Sequence, residues 1–260
     1  MTALGIVLDL DGVVLTAGAP IAGAAGAVRA LQAAGHPCAV LTNMTSASPD
    51  ELSARLAQVG IDVPPERIIT AAVATADVLR RSYPDARVLL VAERGGERAL
   101  PGYRLVTAPP ADLVVVSGPD ESWSPSLLDD ALRALQGGAR LIAMQGNAWW
   151  LAADGPRLDT GAYVRALAYA SGVRPRVIGK PAPGIFRTAC RALGLPPAAC
   201  VMVGDDLRAD VLAAQRTGMR GVLVRTGKGA SFADHPRAAE AAATLDSIVD
   251  VPAWLDALGD

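Results

Sequence analysis

Cysteine and histidine are scarce in this chain of 260 residues, and their scarcity removes two classes of chemistry. The three cysteines, Cys38, Cys190 and Cys200, lie in or beside apolar runs and have no C-x-x-C spacing. Their odd number and setting predict reduced core thiols rather than disulfides or zinc ligands. The two histidines, His36 and His235, have no serine, cysteine or second histidine at triad or ligand spacing, and we interpret both as structural.

The chain also lacks a charge excess and a long apolar segment. Its net charge is -2, and the 24 basic residues are scattered, which argues against a nucleic-acid partner. No apolar stretch approaches membrane-spanning length, and the first residues carry neither a basic leader region nor a cleavage-site pattern. The glycines between Gly18 and Gly26 fit neither a P-loop nor a dinucleotide fingerprint. We therefore expect a soluble, cytoplasmic protein without a nucleic-acid or membrane partner.

Short apolar runs alternate with helix-like segments along most of the chain, in which 51% of the residues are hydrophobic. The runs predict strands at Ile6–Leu8, Ala39–Leu41, Val88–Val91, Leu113–Val116, Leu141–Met144, Val177–Ile178, Val201–Val203 and Val222–Val224. The other segments predict helices at Gly26–Ala34, Pro49–Val59, Ala71–Arg81, Pro125–Leu135, Pro183–Leu193 and Leu207–Thr217. This alternation predicts an α/β fold with a Rossmann-like, doubly wound, mostly parallel sheet.

The first predicted strand ends at Asp9-Leu10-Asp11-Gly12. Two carboxylates one residue apart repel each other unless a cation lies between them. Mg²⁺ suits this position because it takes hard oxygen ligands and leaves sites for water and phosphate oxygens. An Asp-x-Asp-Gly sequence is also typical of an ordinary surface turn, so the motif alone leaves both interpretations open.

Two further polar groups follow predicted strands. Thr42 and Asn43 offer a hydroxyl and an amide, neutral groups that can hydrogen-bond a phosphate oxygen without adding negative charge. They could instead cap the next helix, although Ser48 before Pro49 suits that role better. Lys180 follows another strand and is one of only two lysines among the basic residues. Its presence in an arginine-rich chain indicates a need for a compact point charge.

The last polar cluster contains Asp205, Asp206 and Asp210 after the strand Val201–Val203. Helix capping explains one of these aspartates but not all three. Asp210 lies one helical turn beyond Asp206, where two carboxylates repel each other unless a cation is near. All four clusters follow strands, and open α/β sheets hold their ligands at the carboxyl ends of strands.

The clusters Asp9-x-Asp11-Gly12, Thr42-Asn43, Gly179-Lys180-Pro181 and Gly204-Asp205-Asp206-x3-Asp210 resemble, in order, the four motifs of the haloacid dehalogenase-like (HAD) superfamily. The long interval between the second and third motifs resembles the NagD-like class IIA, and 204–229 is most similar to the phospholysine phosphohistidine inorganic pyrophosphate phosphatase subgroup. The resemblance implies a hydrolase core at 1–84 and 175–260. It also implies an inserted α/β cap domain of the class IIA kind at 85–174 and a possible homodimer through that cap.

The same resemblance implies a Mg²⁺-dependent phosphatase that hydrolyses small phosphorylated metabolites through an aspartyl-phosphate intermediate. Asp9 would be the nucleophile and a metal ligand. Asp11 would be the general acid and then the general base, with its backbone carbonyl on the metal. Asp205 would be the second metal-binding carboxylate, while Asp206 and Asp210 would orient the ligands and waters around it.

The neutral and basic motif residues would bind the transferring group. Thr42 and Asn43 would bind the phosphoryl oxygens, and Lys180 would neutralise charge on both Asp9 and the phosphate. The sequence departs from the family pattern at Val13, where threonine is frequent, and at Met44, where a polar residue is usual. Either departure could change phosphate positioning, but neither removes a charged group.

Asp11 favours a phosphatase over a dehalogenase, because a departing halide needs no general acid whereas an ester leaving group does. Two alternatives stay open: a catalytically quiet regulatory protein that binds a phosphometabolite, and a phosphotransferase. Known phosphotransferase relatives carry a small helical cap between the first and second motifs. That interval is about 30 residues here, which is too short for an added domain.

The cap segments Gln145–Trp150 and Asp159–Ala162 are candidates for the loops that set substrate specificity. Trp149 and Trp150 could stack on a flat leaving group, or they could be core or dimer contacts.

Overall fold

The computed structural model describes residues 3–152, 154–232 and 234–258. The strands are β1 (Gly5–Leu8), β2 (Leu15–Thr16), β3 (Ala19–Pro20), β4 (Cys38–Thr42), β5 (Ile68–Thr70), β6 (Arg87–Val91), β7 (Arg104–Val106), β8 (Leu113–Val116), β9 (Arg140–Ala143), β10 (Trp149–Ala152), β11 (Gly155–Leu158), β12 (Arg176–Val177), β13 (Cys200–Gly204), β14 (Arg220–Val224) and β15 (Ala243–Leu245). The α-helices are α1 (Ala24–Ala33), α2 (Pro49–Gln58), α3 (Ala71–Ser82), α4 (Pro125–Gln136), α5 (Thr160–Ser171), α6 (Pro183–Ala192), α7 (Leu212–Gln215) and α8 (Val251–Ala257).

The chain divides into two compact units. The first consists of Met1–Thr42, Pro49–Ile69 and Pro183–Asp260, and the second of Asn43–Ser48 and Thr70–Ala182. Each unit is built on its own sheet flanked by helices, so the predicted α/β class with parallel sheets of Rossmann-like type is confirmed.

The sheet of the first unit has the strand order β15-β14-β13-β1-β4-β5. β1 is fully buried and pairs in parallel with β13 on one side and β4 on the other. In this register Leu8 lies opposite Val203. The carboxyl ends of these two strands therefore lie side by side, as expected for a parallel sheet that holds its ligand at that edge.

The sheet of the second unit has the order β12-β9-β8-β6-β7, with parallel pairs. Alternate residues of β8 face opposite sides, because side chains alternate along a strand. Val114 and Val116 pack with α4 and α5, whereas Leu113 and Val115 pack in a cluster with Leu79 of α3. Both faces are covered, which explains why the strand reads as a continuous apolar run.

The limits of the second unit differ from the predicted domain limits at 85 and 174. The unit begins at Thr70 because α3 packs through Leu79 on the second sheet, and it ends at Ala182 because Ile178 belongs to the same apolar cluster. The description of the two units as hydrolase core and cap stays a prediction.

The cysteines are buried, and each histidine lies beside a backbone N–H group. All three cysteines are free and buried. Nδ1 of His36 lies 3.0 Å from the backbone nitrogen of Leu4, and Nδ1 of His235 accepts a hydrogen bond from the backbone N–H of Arg237 at 3.1 Å. In the described part of the chain, no helix combines the length and apolarity needed to cross a membrane.

Candidate active site

The ends of β1 and β13 place Asp9 and Asp205 at neighbouring positions of the first sheet. The backbone N–H of Asp9 donates to the carbonyl of Val203 at 2.9 Å, which continues the parallel pairing beyond Leu8. The N–H of Leu10 donates to Asp9 Oδ1 at 2.7 Å. Asp9 and Asp205 are 7% and 5% exposed, so both carboxylates are held in a largely dry setting.

A third aspartate joins them. Asp9, Asp205 and Asp210 each offer one carboxylate oxygen, and these three oxygens lie within 4.8 Å of one another. Three buried carboxylates at this separation repel one another strongly unless a cation or protons balance their charge. Carboxylate oxygen is the ligand that Mg²⁺ prefers, so the donor set fits a hard divalent cation. Asp11, by contrast, is exposed, and its carboxylate is not part of the group found among the described residues.

Asp210 reaches the cluster through an irregular helix start. The sequence predicts a regular helix from Leu207 to Thr217, but the structure has a π-helical turn over Leu207–Val211 followed by the short α7. The backbone N–H of Asp206 donates to Asp210 Oδ2 at 3.1 Å. A Cβ atom on Gly204 would lie 2.2 Å from the Cβ of Asp210, so only glycine lets this carboxylate approach the strand end.

Asp206 has the capping role that the sequence suggested for one of the three aspartates. Its Oδ1 accepts hydrogen bonds from the backbone N–H groups of Arg208 at 3.0 Å and Ala209 at 2.9 Å. Its Oδ2 lies 3.3 Å from Nζ of Lys228, which is itself only 8% exposed. Asp206 therefore anchors the helix start and brings a second lysine beside the acidic cluster.

The segment Thr226-Gly227-Lys228 fixes the orientation of Asp205. The N–H of Lys228 donates to Asp205 Oδ2 at 2.7 Å, and the Thr226 hydroxyl donates to the carbonyl of Gly12. Gly12 and Gly227 have φ of 87° and 57°, and a Cβ atom on either would lie 2.0 Å or 2.1 Å, respectively, from Asp205 Oδ2. This oxygen is thus enclosed by two glycines and one N–H.

The sequence pattern does not predict that role, because Thr226-Gly227-Lys228 stands out only within the family resemblance of 204–229. The available signals were a second lysine in a chain with only two, and a glycine shortly after the strand β14.

Thr42, Asn43 and Lys180 are divided between the two units. Thr42 ends β4 in the first unit and is 1% exposed. Asn43 and Lys180 belong to the second unit, where Asn43 Oδ1 accepts from the backbone N–H of Lys180 at 2.8 Å. Asn43 Nδ2 donates to the backbone carbonyl of Lys180 at 3.2 Å. The structure therefore brings Asn43 and Lys180 together, 137 residues apart in sequence.

The two predicted specificity segments contact each other through buried polar groups. Gln145 Nε2 donates to Asp159 Oδ1 at 2.5 Å and to Thr160 Oγ1 at 3.0 Å. The Thr160 hydroxyl donates to the carbonyl of Ser117 at 2.5 Å. All four residues are buried. This network fixes the start of α5 against the end of the second sheet.

The paired tryptophans lie on β10, in a two-stranded antiparallel hairpin with β11. Trp150 is 41% exposed, and the guanidinium of Arg157 lies 6.0 Å from its ring centroid, within cation–π range. Trp150 is therefore not a core residue, and stacking on a leaving group or contact with a second copy both stay predictions.

Comparison with known proteins adds independent findings. A family model described as haloacid dehalogenase-like hydrolase matches residues 6–105. A second model, for HAD-like hydrolases, matches residues 177–251. The matched ranges contain every aspartate of the cluster, as well as Thr42, Asn43 and Lys180.

Similar proteins extend over nearly the whole chain. It is 33% identical over 255 residues to dihydroxyacetone phosphatase of Corynebacterium glutamicum, covering 97% of this chain and 92% of that protein. It is 31% identical over 252 residues to human phospholysine phosphohistidine inorganic pyrophosphate phosphatase, covering 95% and 92%. The solved structure of NagD from E. coli K-12 superposes with a TM-score of 0.79 at 29% identity, covering 96% of this chain and 98% of that one.

Proposed function

This chain belongs to the NagD-like haloacid dehalogenase-like phosphatases, and from that premise we propose that it hydrolyses small phosphate esters with Mg²⁺ through a phosphorylated Asp9. The observation that carries the proposal is the group of three buried carboxylates, Asp9, Asp205 and Asp210, whose oxygens lie within 4.8 Å of one another. In such a group Asp9 can act as the nucleophile and as a metal ligand, Asp205 can be the second metal-binding carboxylate, and Asp210 can orient the ligands around the cation.

In the first half-reaction, a carboxylate oxygen of Asp9 attacks phosphorus. The bond from phosphorus to the leaving oxygen breaks, and its electron pair stays on that oxygen. Asp11 donates a proton to the leaving oxygen, which departs as an alcohol. The exposure of Asp11 is consistent with this role, because the proton must reach a group outside the buried cluster.

In the second half-reaction, water attacks the phosphorus of phosphorylated Asp9. Asp11, now ionised, accepts a proton from that water. The bond between phosphorus and the Asp9 oxygen breaks, which releases inorganic phosphate and restores the Asp9 carboxylate.

The other motif residues hold charge and orientation. The transferring phosphoryl group is proposed to be bound and positioned by Thr42, Asn43 and Lys180. The Lys180 ammonium would offset negative charge on the phosphoryl group and on Asp9. Asp205 and the backbone carbonyl of Asp11 are proposed to bind the metal together with Asp9. The bound cation would supply positive charge that stabilises the phosphoryl oxygens as they are transferred.

The experiment that tests this function measures phosphate release with Mg²⁺ and with EDTA. The panel contains p-nitrophenyl phosphate, dihydroxyacetone phosphate, inorganic pyrophosphate and other phosphorylated metabolites. We expect Mg²⁺-dependent release that Asp9→Asn abolishes while the circular dichroism spectrum is retained. Asp129→Asn, on the exposed face of α4, is the matched control and should keep full activity.

A second measurement tests the intermediate. In Asp11→Asn, p-nitrophenol can still leave without a proton, whereas water attack lacks its base. We expect a burst of about one p-nitrophenol per protein and a mass increase of one phosphoryl group on the peptide that contains Asp9. Full turnover in Asp9→Asn would exclude the aspartyl-phosphate route. If the folded, Mg²⁺-loaded protein releases no phosphate from any compound, the regulatory binding protein or a phosphotransferase becomes the better interpretation.

The cytoplasmic location and the homodimer through the second unit stay predictions from the sequence and the family resemblance. Sedimentation velocity on the purified chain tests the dimer directly.

A further inference from the structure

The side-chain amide of Asn43 hydrogen-bonds both the backbone N–H and the backbone carbonyl of Lys180, as a residue of a neighbouring β-strand would. Its oxygen accepts from the Lys180 N–H at 2.8 Å, and its nitrogen donates to the Lys180 carbonyl at 3.2 Å. One short side chain thus satisfies both polar backbone groups of a single residue. An arrangement that uses donor and acceptor together fixes the position and the orientation of that peptide.

Backbone hydrogen bonds hold the same loop as well. The N–H of Gly146 donates to the Lys180 carbonyl at 3.0 Å, and the N–H of Gly179 donates to the carbonyl of Met144 at 2.7 Å. A Cβ atom on Gly179 would lie 2.5 Å from the Met144 oxygen and 2.8 Å from Asn43 Oδ1. The loop is therefore confined between the end of β9 and Asn43, and Asn43 is the one polar side chain among these contacts.

Backbone placement matters here because of what Lys180 carries. A lysine ammonium stands on a flexible four-carbon stem, so its location depends on where the backbone starts that stem. Lys180 is only 2% exposed, so water does not compensate for a displaced charge.

We propose that Asn43 is a positioning residue that sets the location of the Lys180 ammonium through the Lys180 backbone, rather than a direct ligand of the phosphoryl group. This inference rests on the proposed function, in which Lys180 serves the transferring phosphoryl group. It gives the second motif two separate tasks: Thr42 contacts the substrate, and Asn43 supports the lysine of the third motif.

A double-mutant cycle on p-nitrophenyl phosphate hydrolysis separates the two roles. If Asn43 acts through Lys180, Asn43→Ala lowers kcat about tenfold to a hundredfold, since small misplacements of a catalytic group have effects of that size. The same substitution in a Lys180→Ala background then changes kcat less than about twofold, because no ammonium is left to position. If Asn43 binds the phosphoryl group directly, its effect persists in that background, and the inference is wrong.

The lysine content of the chain provides a readout independent of turnover. Lys180 and Lys228 are the only lysines, so protein labelled with [ε-¹³C]lysine gives two side-chain signals. Lys228→Arg assigns them. We expect Asn43→Ala to shift or broaden the Lys180 signal and to leave the Lys228 signal in place. An unchanged Lys180 signal would overturn the inference.

Thr45→Val is the matched control. Thr45 lies in the same Asn43–Ser48 segment, and its hydroxyl donates to Glu93 Oε1 at 2.7 Å. This variant disturbs the segment without touching Lys180, and it should leave the Lys180 signal and kcat unchanged. If Asn43→Ala does not fold, Asn43→Ser replaces the amide with a shorter, uncharged hydroxyl that cannot bond the Lys180 N–H and carbonyl as the amide does, and the same measurements apply.

The design keeps two failures apart. Full turnover in both Asp9→Asn and Lys180→Ala refutes the proposed function, whatever the spectra show. Loss of turnover in those two variants, together with an unmoved Lys180 signal and additive effects of Asn43→Ala, refutes only the positioning role.

Discussion

Gly12→Ala tests whether the tight enclosure of Asp205 Oδ2 requires glycine at this position. Gly12 has φ of 87°, and a Cβ atom there would lie 2.0 Å from Asp205 Oδ2. The substitution therefore adds two separate costs: a left-handed backbone on a residue with a side chain, and a clash with a carboxylate of the cluster. Gly35→Ala isolates the first cost, because Gly35 has φ of 85° and a Cβ atom there would meet nothing within 4 Å.

The two variants differ in expected size. The left-handed conformation costs alanine about 1–2 kcal/mol, and this is the full effect expected for Gly35→Ala. Crowding in a packed site adds about 1–3 kcal/mol, so the free energy of unfolding should fall by about 2–5 kcal/mol in Gly12→Ala. The clash can be relieved only by moving Asp205, whose Oδ2 is held by the Lys228 N–H at 2.7 Å. Displacing such a supported ligand lowers metal affinity about tenfold to a hundredfold.

Three measurements on both variants check this reasoning. Urea unfolding gives the free energy, isothermal titration with Mg²⁺ gives the affinity, and p-nitrophenyl phosphate hydrolysis gives kcat. Gly35→Ala should lose stability alone, whereas Gly12→Ala should lose stability, metal affinity and turnover. Equal stability losses in the two variants, with unchanged Mg²⁺ affinity in Gly12→Ala, would refute the claim that glycine is required there by Asp205.

Two further predictions concern the second unit. Hydrogen bonds from Arg87 lower the pKa of Asp112 from 3.8 to about 2, so this carboxyl stabilises the fold above its ordinary pKa and loses that effect as pH falls through about 2. In Asp112→Asn, the loss of stability with falling pH should therefore be less steep between pH 3.8 and about 2. Acid unfolding followed by circular dichroism measures this loss, and an unchanged pH dependence would contradict the prediction. Thr160→Val removes the hydroxyl that donates to the Ser117 carbonyl, and it should cost about 1–3 kcal/mol in urea unfolding while Thr160→Ser costs little. A loss in Thr160→Ser as large as that in Thr160→Val would show that the methyl group matters as much as the hydroxyl and would contradict this prediction.

The apolar runs located the central strands well because burial on both faces leaves a continuous signal in the sequence. Leu113–Val116 was predicted with its observed limits, and the run Ile6–Leu8 is one residue shorter than β1. The hairpin of β10 and β11 was missed, since it contains exposed residues and Pro156. The antiparallel pairing of β10 with β11, rather than the composition of the segment, defines the hairpin.

The helix α5 was missed for another reason. Its first turn contains Gly161, which reads as a loop residue in the sequence. A Cβ atom there would lie 2.5 Å from the Gly146 carbonyl, so glycine is required by a contact with a distant segment. No local pattern carries that information.

The candidate site was likewise predicted only in part from the sequence. The sequence placed Asp9 and Asp205 at strand ends, and parallel pairing of β1 with β13 is what brings them together. It could not show that Asn43 faces the Lys180 backbone or that Lys228 supports Asp205, because both contacts depend on loop paths.

The position of β1 between β4 and β13 has a consequence for the order of synthesis. β1 is synthesised long before β13, yet the partner of Gly5 on that side is Cys200. Strands β6 to β9 and β12 find their partners within the continuous stretch Thr70–Ala182, so that sheet can close while β1 still has an open edge. Domains fold as units as they emerge from the ribosome, so the second unit can complete its fold before the first unit does. The acidic cluster, which needs Asp205 and Asp210, therefore forms only after the whole second unit has been synthesised.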